Sequence, residues 1–203
     1  VVLVFAVFFL SRILGALYFI NNIDDKDLVA RSRRSLIGNS VLFLVFFLSF
    51  VIRTLLVDGY AVKPETGEIF MEPYKYLTNF IEMPVVLVLF LIGVVLVLFG
   101  IGKSLLKPKF DKGIWFTGIG TVLAVLALLL VAGYNNTAYY PSTSDLQSSL
   151  TLANSCSSEF TLRVMFYVSF LVPFVLAYIF YAWRSIDIHK IDEKEMKDGG
   201  HSY

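Results

Sequence analysis

Cysteine and histidine are nearly missing from this 203-residue chain, which has one cysteine, Cys156, and two histidines, His189 and His201. A single cysteine excludes an intrachain disulfide and a cysteine metal cluster. Both histidines lie in the charged C-terminal stretch and read as solvated tail residues, so no histidine is available at membrane depth. The four methionines, Met71, Met83, Met165 and Met196, fall outside the apolar segments or at their ends. A b-type haem needs axial side chains at bilayer depth, so the chain is expected to ligate none by itself. Charge is also sparse: 16% of residues are charged and the formal net charge is +1. No global field marks the chain as a partner of nucleic acid or of acidic proteins.

What is present is apolar. Hydrophobic residues make up 57% of the chain and its mean hydropathy is +0.74, against about 45–50% apolar residues in soluble domains. The composition is that of a membrane protein. The chain opens on Val1 inside the apolar run VVLVFAVFFL, with no basic stretch before it and no small-residue cleavage site after it, unlike a signal peptide. This opening predicts the C-terminal part of a longer chain.

A bilayer core about 30 Å thick needs roughly 20 apolar residues per helix. Five segments meet or approach that length, at about 1–20, 36–57, 84–102, 113–133 and 164–183. The spacing predicts an all-α, polytopic transmembrane helical bundle over 1–186, followed by a charged tail at 187–203. A strand reading of VVLVLFLIGVVLVLF (85–99) fails, because strands run about 3–10 residues and barrel strands alternate apolar with polar. Basic residues then orient the spans. Lys26, Arg31, Arg33 and Arg34 follow the first span; Lys103, Lys107, Lys109 and Lys112 follow the third; Arg184, Lys190, Lys194 and Lys197 follow the fifth. The stretch 58–83 has only Lys63 and Lys75, and 134–162 has none. The positive-inside rule makes the basic loops and tail cytoplasmic and the other two loops external.

Short motifs resolve into helix ends and packing positions. GIGKS (100–104) has Val97 where a phosphate-binding loop needs glycine, and a membrane span instead of a strand before it. Gly118 and Gly120 in TGIGT read as points of close helix approach. Pro84 suits the start of the third span, and Pro173 predicts a kink in the fifth. The run IDDKDLVARSRRS (23–35) reads as a solvated helical extension. Tyr134, Tyr139, Tyr140, Tyr178, Tyr181 and Trp183 suit interfacial belts. Ser157 or Ser158 is the expected N-cap of a helix beginning near Glu159.

Ionisable groups in or near the spans are the functional candidates, since a charge at bilayer depth costs several kcal/mol unless it is paired or reaches water. They are Arg12, within the first span, Arg53 and Asp58 at the end of the second, Glu82 before the third and Arg163 at the start of the fifth. One reading makes them a polar cluster serving a proton path or subunit contact. The other has them snorkel to the interface. No catalytic, cofactor-binding or metal-ligating residue stands out.

Six pieces occur in one order: RSRRS (31–35), DGY (58–60), YLTNFIEMPVVL (76–87), YPSTSDLQSSLTLANSCSSEFTLRVM (140–165), LVPFVLAYIFYAW (171–183) and a charged tail ending HSY. Together they resemble the C-terminal half of subunit II of cytochrome bd quinol oxidase. The resemblance implies a subunit of a quinol:oxygen oxidoreductase in the bacterial inner membrane. It implies that subunit II binds no haem, that haem b and haem d belong to a partner subunit I, and that quinol is the substrate of the complex. Subunit II would support assembly of the heterodimer and contribute to proton or oxygen access, with room for a small accessory subunit. No catalytic residue carries over to a position here. Without the resemblance, half of a secondary transporter or a purely structural membrane subunit would share the physical features.

Overall fold

A computed structural model describes residues 1–107 and 109–186. The tail 187–203, with His189, His201 and Met196, lies outside the described residues. The elements are α1 (Val2–Asn22), α2 (Lys26–Leu56), β1 (Gly59–Val62), β2 (Ile69–Glu72), α3 (Lys75–Glu82), α4 (Pro84–Leu106), α5 (Gly113–Gly133), α6 (Glu159–Ser169) and α7 (Val172–Ile186). Five helical stretches are long and apolar enough to cross a membrane: α1, α2, α4, α5 and the combined α6–α7. The architecture is a polytopic helical bundle with one small hairpin among the described residues.

Two helical hairpins build the bundle, α1 with α2 and α4 with α5. Between them lies a cluster of Ile13, Leu17, Ile20, Leu36, Phe43, Val97 and Ile101. A second cluster, Phe80, Val86, Ala127 and Val131, closes the opposite end. The α4–α5 pair touches through backbone. A Cβ on Gly93 would lie 2.6 Å from the Ala124 nitrogen, and one on Gly120 would lie 2.6 Å from the Gly93 carbonyl oxygen. Gly100 and Gly113 likewise face each other's carbonyl oxygens at 2.8 and 2.9 Å from the position of an added Cβ. Small residues permit this approach, which lets dispersion and backbone dipoles act where lipid gives no hydrophobic drive. Gly118 departs from its expected role, because a Cβ there would meet nothing within 4 Å. It sits two residues from Gly120 and so faces another side of the helix.

The helices differ from the expected spans in ways that local chemistry explains. α2 runs 31 residues and begins at Lys26, ahead of the apolar run. Asp25 caps it, accepting from the Leu28 N–H at 2.8 Å. Pro84 opens α4 at a position where its missing N–H is harmless. The fifth span is broken, not merely kinked: α6 ends at Ser169 and α7 starts at Val172. The Pro173 ring would clash with the carbonyl of residue 169 in a continuous helix. Ser158 caps α6 through an acceptor contact with the Thr161 N–H.

Both basic loops meet at one end. The Arg33 guanidinium donates to the Ser104 carbonyl, and to those of Lys107 and Phe110 at 3.4 and 3.3 Å. A cation is thereby placed on the carbonyl end of α4, where the helix dipole favours it. Lys103 of GIGKS lies over the Phe99 and Phe110 rings at 4.9 and 4.5 Å, as a helix-end lysine rather than a phosphate ligand.

Gly120→Ala is expected to push α4 off α5 and cost about 1–3 kcal/mol, the usual range for overpacking. Thermal melts in detergent should show a lowered midpoint for Gly120→Ala and an unchanged one for Gly118→Ala. Equal effects at the two sites would remove the role assigned to the backbone contact.

Candidate functional site

At the basic-poor end, the segments 58–83 and 134–155 fold onto each other. β1 and β2 pair antiparallel from Gly59↔Glu72 to Val62↔Ile69. The chain after α5 adds to the other edge of β1, with the Val62 N–H on the Asn136 carbonyl at 2.8 Å and the Ala138 N–H on the Tyr60 carbonyl at 2.9 Å. Gln147 extends the ladder beyond β2: its Nε2 donates to the Ile69 carbonyl at 2.8 Å, and its Oε1 accepts the Ile69 N–H at 3.0 Å. Ser149, Thr151 and Asn154 satisfy neighbouring backbone groups. The serine-rich stretch is thus ordered by side-chain contacts to the backbone, the habit of these residue types.

Beneath this cap lies a buried polar cluster that sequence reasoning missed. Asn79 of α3 is fully buried. Its Nδ2 donates to the Val131 carbonyl and to Thr137 Oγ1, both at 2.8 Å, and its Oδ1 accepts from Asn135 Nδ2 at 3.1 Å. Val131 lies in the last turn of α5, where carbonyls lack helical partners, so Asn79 caps that helix from outside. Asn135 also donates to the Glu82 carboxylate. The loop turns here through Asn135 and Asn136 at φ 57° and 53°, a left-handed geometry that asparagine tolerates. The signal was an asparagine inside the amphipathic TNFIE. Burial also pushes the nearby Tyr76 phenol above its ordinary value, with Tyr60 adding to the rise.

The five sequence candidates occupy separate surroundings, and no hydrogen bond or ion pair joins any two of them among the described residues. Arg12 crosses to α2, its Nε donating to Asn39 Oδ1 at 3.0 Å. Glu82 joins the Asn79 cluster through Asn135. Arg163 pairs with Glu159 one turn earlier on the surface of α6, at 2.5 Å. Arg53 and Asp58 are exposed and make no side-chain bond among the described residues. Among the described residues, Arg12 bridges two helices, Glu82 sits at a helix end beside Asn135, and Arg163 pairs within its own helix.

Five helices long and apolar enough to cross a membrane define a polytopic helical membrane protein. The chain belongs to the cytochrome bd terminal oxidase subunit II family, whose model matches residues 1–186. It is 29% identical over 159 residues to the cytochrome bd-I ubiquinol oxidase subunit 2 of Escherichia coli K12, covering 72% of this chain and 40% of that relative. The proteins of the same name from Escherichia coli O157:H7 and O6:H1 match equally. The chain thus spans 40% of the length of these curated relatives.

A cytochrome name implies haem, and the described residues include no histidine to serve as an axial ligand. Met71 and Met165 are exposed, and Met83 packs against the Phe80–Val131 cluster. The apolar cleft between the hairpins, about 260 Å³, is lined by residues such as Leu10, Phe43, Phe47, Val97 and Leu128, with no axial donor.

Asn79→Ala should leave the Val131 carbonyl and Thr137 hydroxyl short of a donor and cost about 1–3 kcal/mol, the penalty of buried unmade bonds. Limited proteolysis across 134–140, together with melting in detergent, checks this. A variant as resistant as the parent would show that the cluster does not hold the cap.

Proposed function

We propose that this chain is part of subunit II of a cytochrome bd-type quinol:oxygen oxidoreductase in the bacterial inner membrane. In this reading it carries no haem and packs in a heterodimer against a subunit I that holds haems b and d. The match of the family model along residues 1–186 carries the reading. The donor chemistry of the described residues is in keeping with it, since the bundle interior is filled by aliphatic and aromatic side chains.

The fifth span supports a role in assembly. None of its apolar window is buried, against 22–28% in the other four spans. Phe166, Phe170, Phe174, Tyr178 and Trp183 are all exposed along it. Such an aromatic surface suits packing against further helices of the complex. Quinol oxidation and oxygen reduction would take place in the partner, and this bundle would hold that partner in shape. A transporter half calls for interrupted helices in corresponding positions of two repeats, whereas the other four spans here are unbroken helices. We further assign the end bearing Arg33, Lys103 and Lys107, with the tail, to the cytoplasm by the positive-inside rule.

Affinity purification of the full-length parent from its native membrane should bring down a haem-rich partner and quinol-dependent oxygen uptake. A haem-free preparation that moves solute across vesicles would overturn the assignment. In intact cells, a membrane-impermeant thiol reagent should label the exposed Cys156 from the periplasmic side; labelling that requires lysis reverses the orientation.

A further inference from the structure

The groove between α1 and α2 at the basic end gathers hydrogen-bond donors, most of which no acceptor among the described residues answers. Arg12, Gly15 and Phe19 line it from one helix, and Arg31, Ser32 and Ser35 from the other, around a volume of about 440 Å³. Arg12 spends its Nε on Asn39, at 3.0 Å, which fixes the guanidinium and leaves its two amino groups uncommitted. Asn39 Nδ2 donates to the Ser35 carbonyl at 2.7 Å and to Ser35 Oγ at 3.0 Å. The Ser35 hydroxyl is an acceptor in that contact, so its own proton remains free to serve a ligand. The side chains of Arg31 and Ser32 make no hydrogen bond or ion pair among the described residues.

Acidic neighbours do not neutralise the groove. Asp25 is committed to the α2 cap. Asp27 lies beside Arg31 and Arg34 in the adjoining depression and pairs with neither among the described residues. Depth sets the ligand. The apolar run of α2 begins at Leu36, and Asn39, which holds Arg12, is about one turn farther in. A guanidinium anchored there reaches outward to the level of lipid phosphates. The Arg12 guanidinium carbon stands over the Phe8 ring at 5.8 Å from its centroid. Phe8, one turn deeper and exposed, offers an apolar wall to an acyl chain. A soluble anion would gain nothing from that wall.

We propose that this groove binds the phosphodiester headgroup of an anionic phospholipid, with Arg12 and Arg31 as the charged ligands and Ser32 and Ser35 as hydroxyl donors. Basic pockets between transmembrane helices at a membrane face have the chemistry for such headgroups. The site does not depend on the oxidase assignment.

The test uses full-length protein in nanodiscs of phosphatidylcholine with a minor share of phosphatidylglycerol, with retained lipids counted by native mass spectrometry after extraction. Wild type should keep a defined phosphatidylglycerol that excess inorganic phosphate does not displace. Arg31→Gln should weaken retention by about fivefold, in line with the contribution of one surface arginine. Gly15→Leu should do the same with both arginines intact, because a Cβ there meets nothing within 4 Å and the longer side chain fills the groove. Should Gly15→Leu fail to fold, Arg31→Gln alone decides, since that side chain holds nothing else among the described residues. Equal retention by wild type and Arg31→Gln, equal retention of phosphatidylcholine, or displacement by inorganic phosphate would each overturn the proposal.

Discussion

Helices surrounded by lipid gain little from hiding apolar side chains from one another, so a bundle needs contacts that lipid cannot imitate. In this protein the contact is backbone against backbone, where Gly93 and Gly100 of α4 meet Gly120 and Gly113 of α5. Thr117 and Ala124, on the same face of α5, are buried against α4. The α1–α2 hairpin packs on this unit through Leu17, Phe43, Val97 and Ile101. The α4–α5 pair therefore owes its close approach to where four glycines sit.

Helix ends present the second demand, because terminal carbonyls and N–H groups go unpaired unless something reaches them. The protein answers with side chains borrowed from other elements. Arg33 of α2 crosses to the end of α4. Asn79 of α3 crosses to the end of α5, and Asp25 and Ser158 cap α2 and α6 locally. Each borrowed cap also fixes one helix relative to another, so satisfying the backbone and positioning the bundle are one act. Arg12 with Asn39 also ties α1 to α2, side chain to side chain within the helices.

Much of this was legible in the sequence, and the reasons differ by element. Span number and type followed from run length, the strongest signal an apolar chain carries. Pro84 and Ser158 took their expected places because caps and first-turn prolines act locally. The hairpin at 59–72 was hidden, since each of its strands is only four residues long and gains pairing from the distant 136–138 segment. Gly118 and Gly120 looked alike because two residues of sequence separate them, while the helix turns them to different faces. Asn79 was marked only by its place in the amphipathic TNFIE, and neither it nor Arg33 disclosed its partner, since those partners lie 52 and 71 residues away. The charged candidates were visible for their cost in lipid, yet cost alone did not tell which carried a partner. Family membership was readable because many short pieces kept one order, which no single motif supplies.

These links join at the α4–α5 seam, on which the α1–α2 hairpin packs and at whose helix ends both borrowed caps sit. An experimental density map of the full-length protein in nanodiscs gives the most direct measurement, the separation of the two helix axes at Gly93–Gly120 and Gly100–Gly113. Side-chain-mediated helix pairs stand about 8–10 Å apart. The account predicts a separation below about 8 Å at both levels, with no side chain between the backbones. A separation within the ordinary range would contradict it.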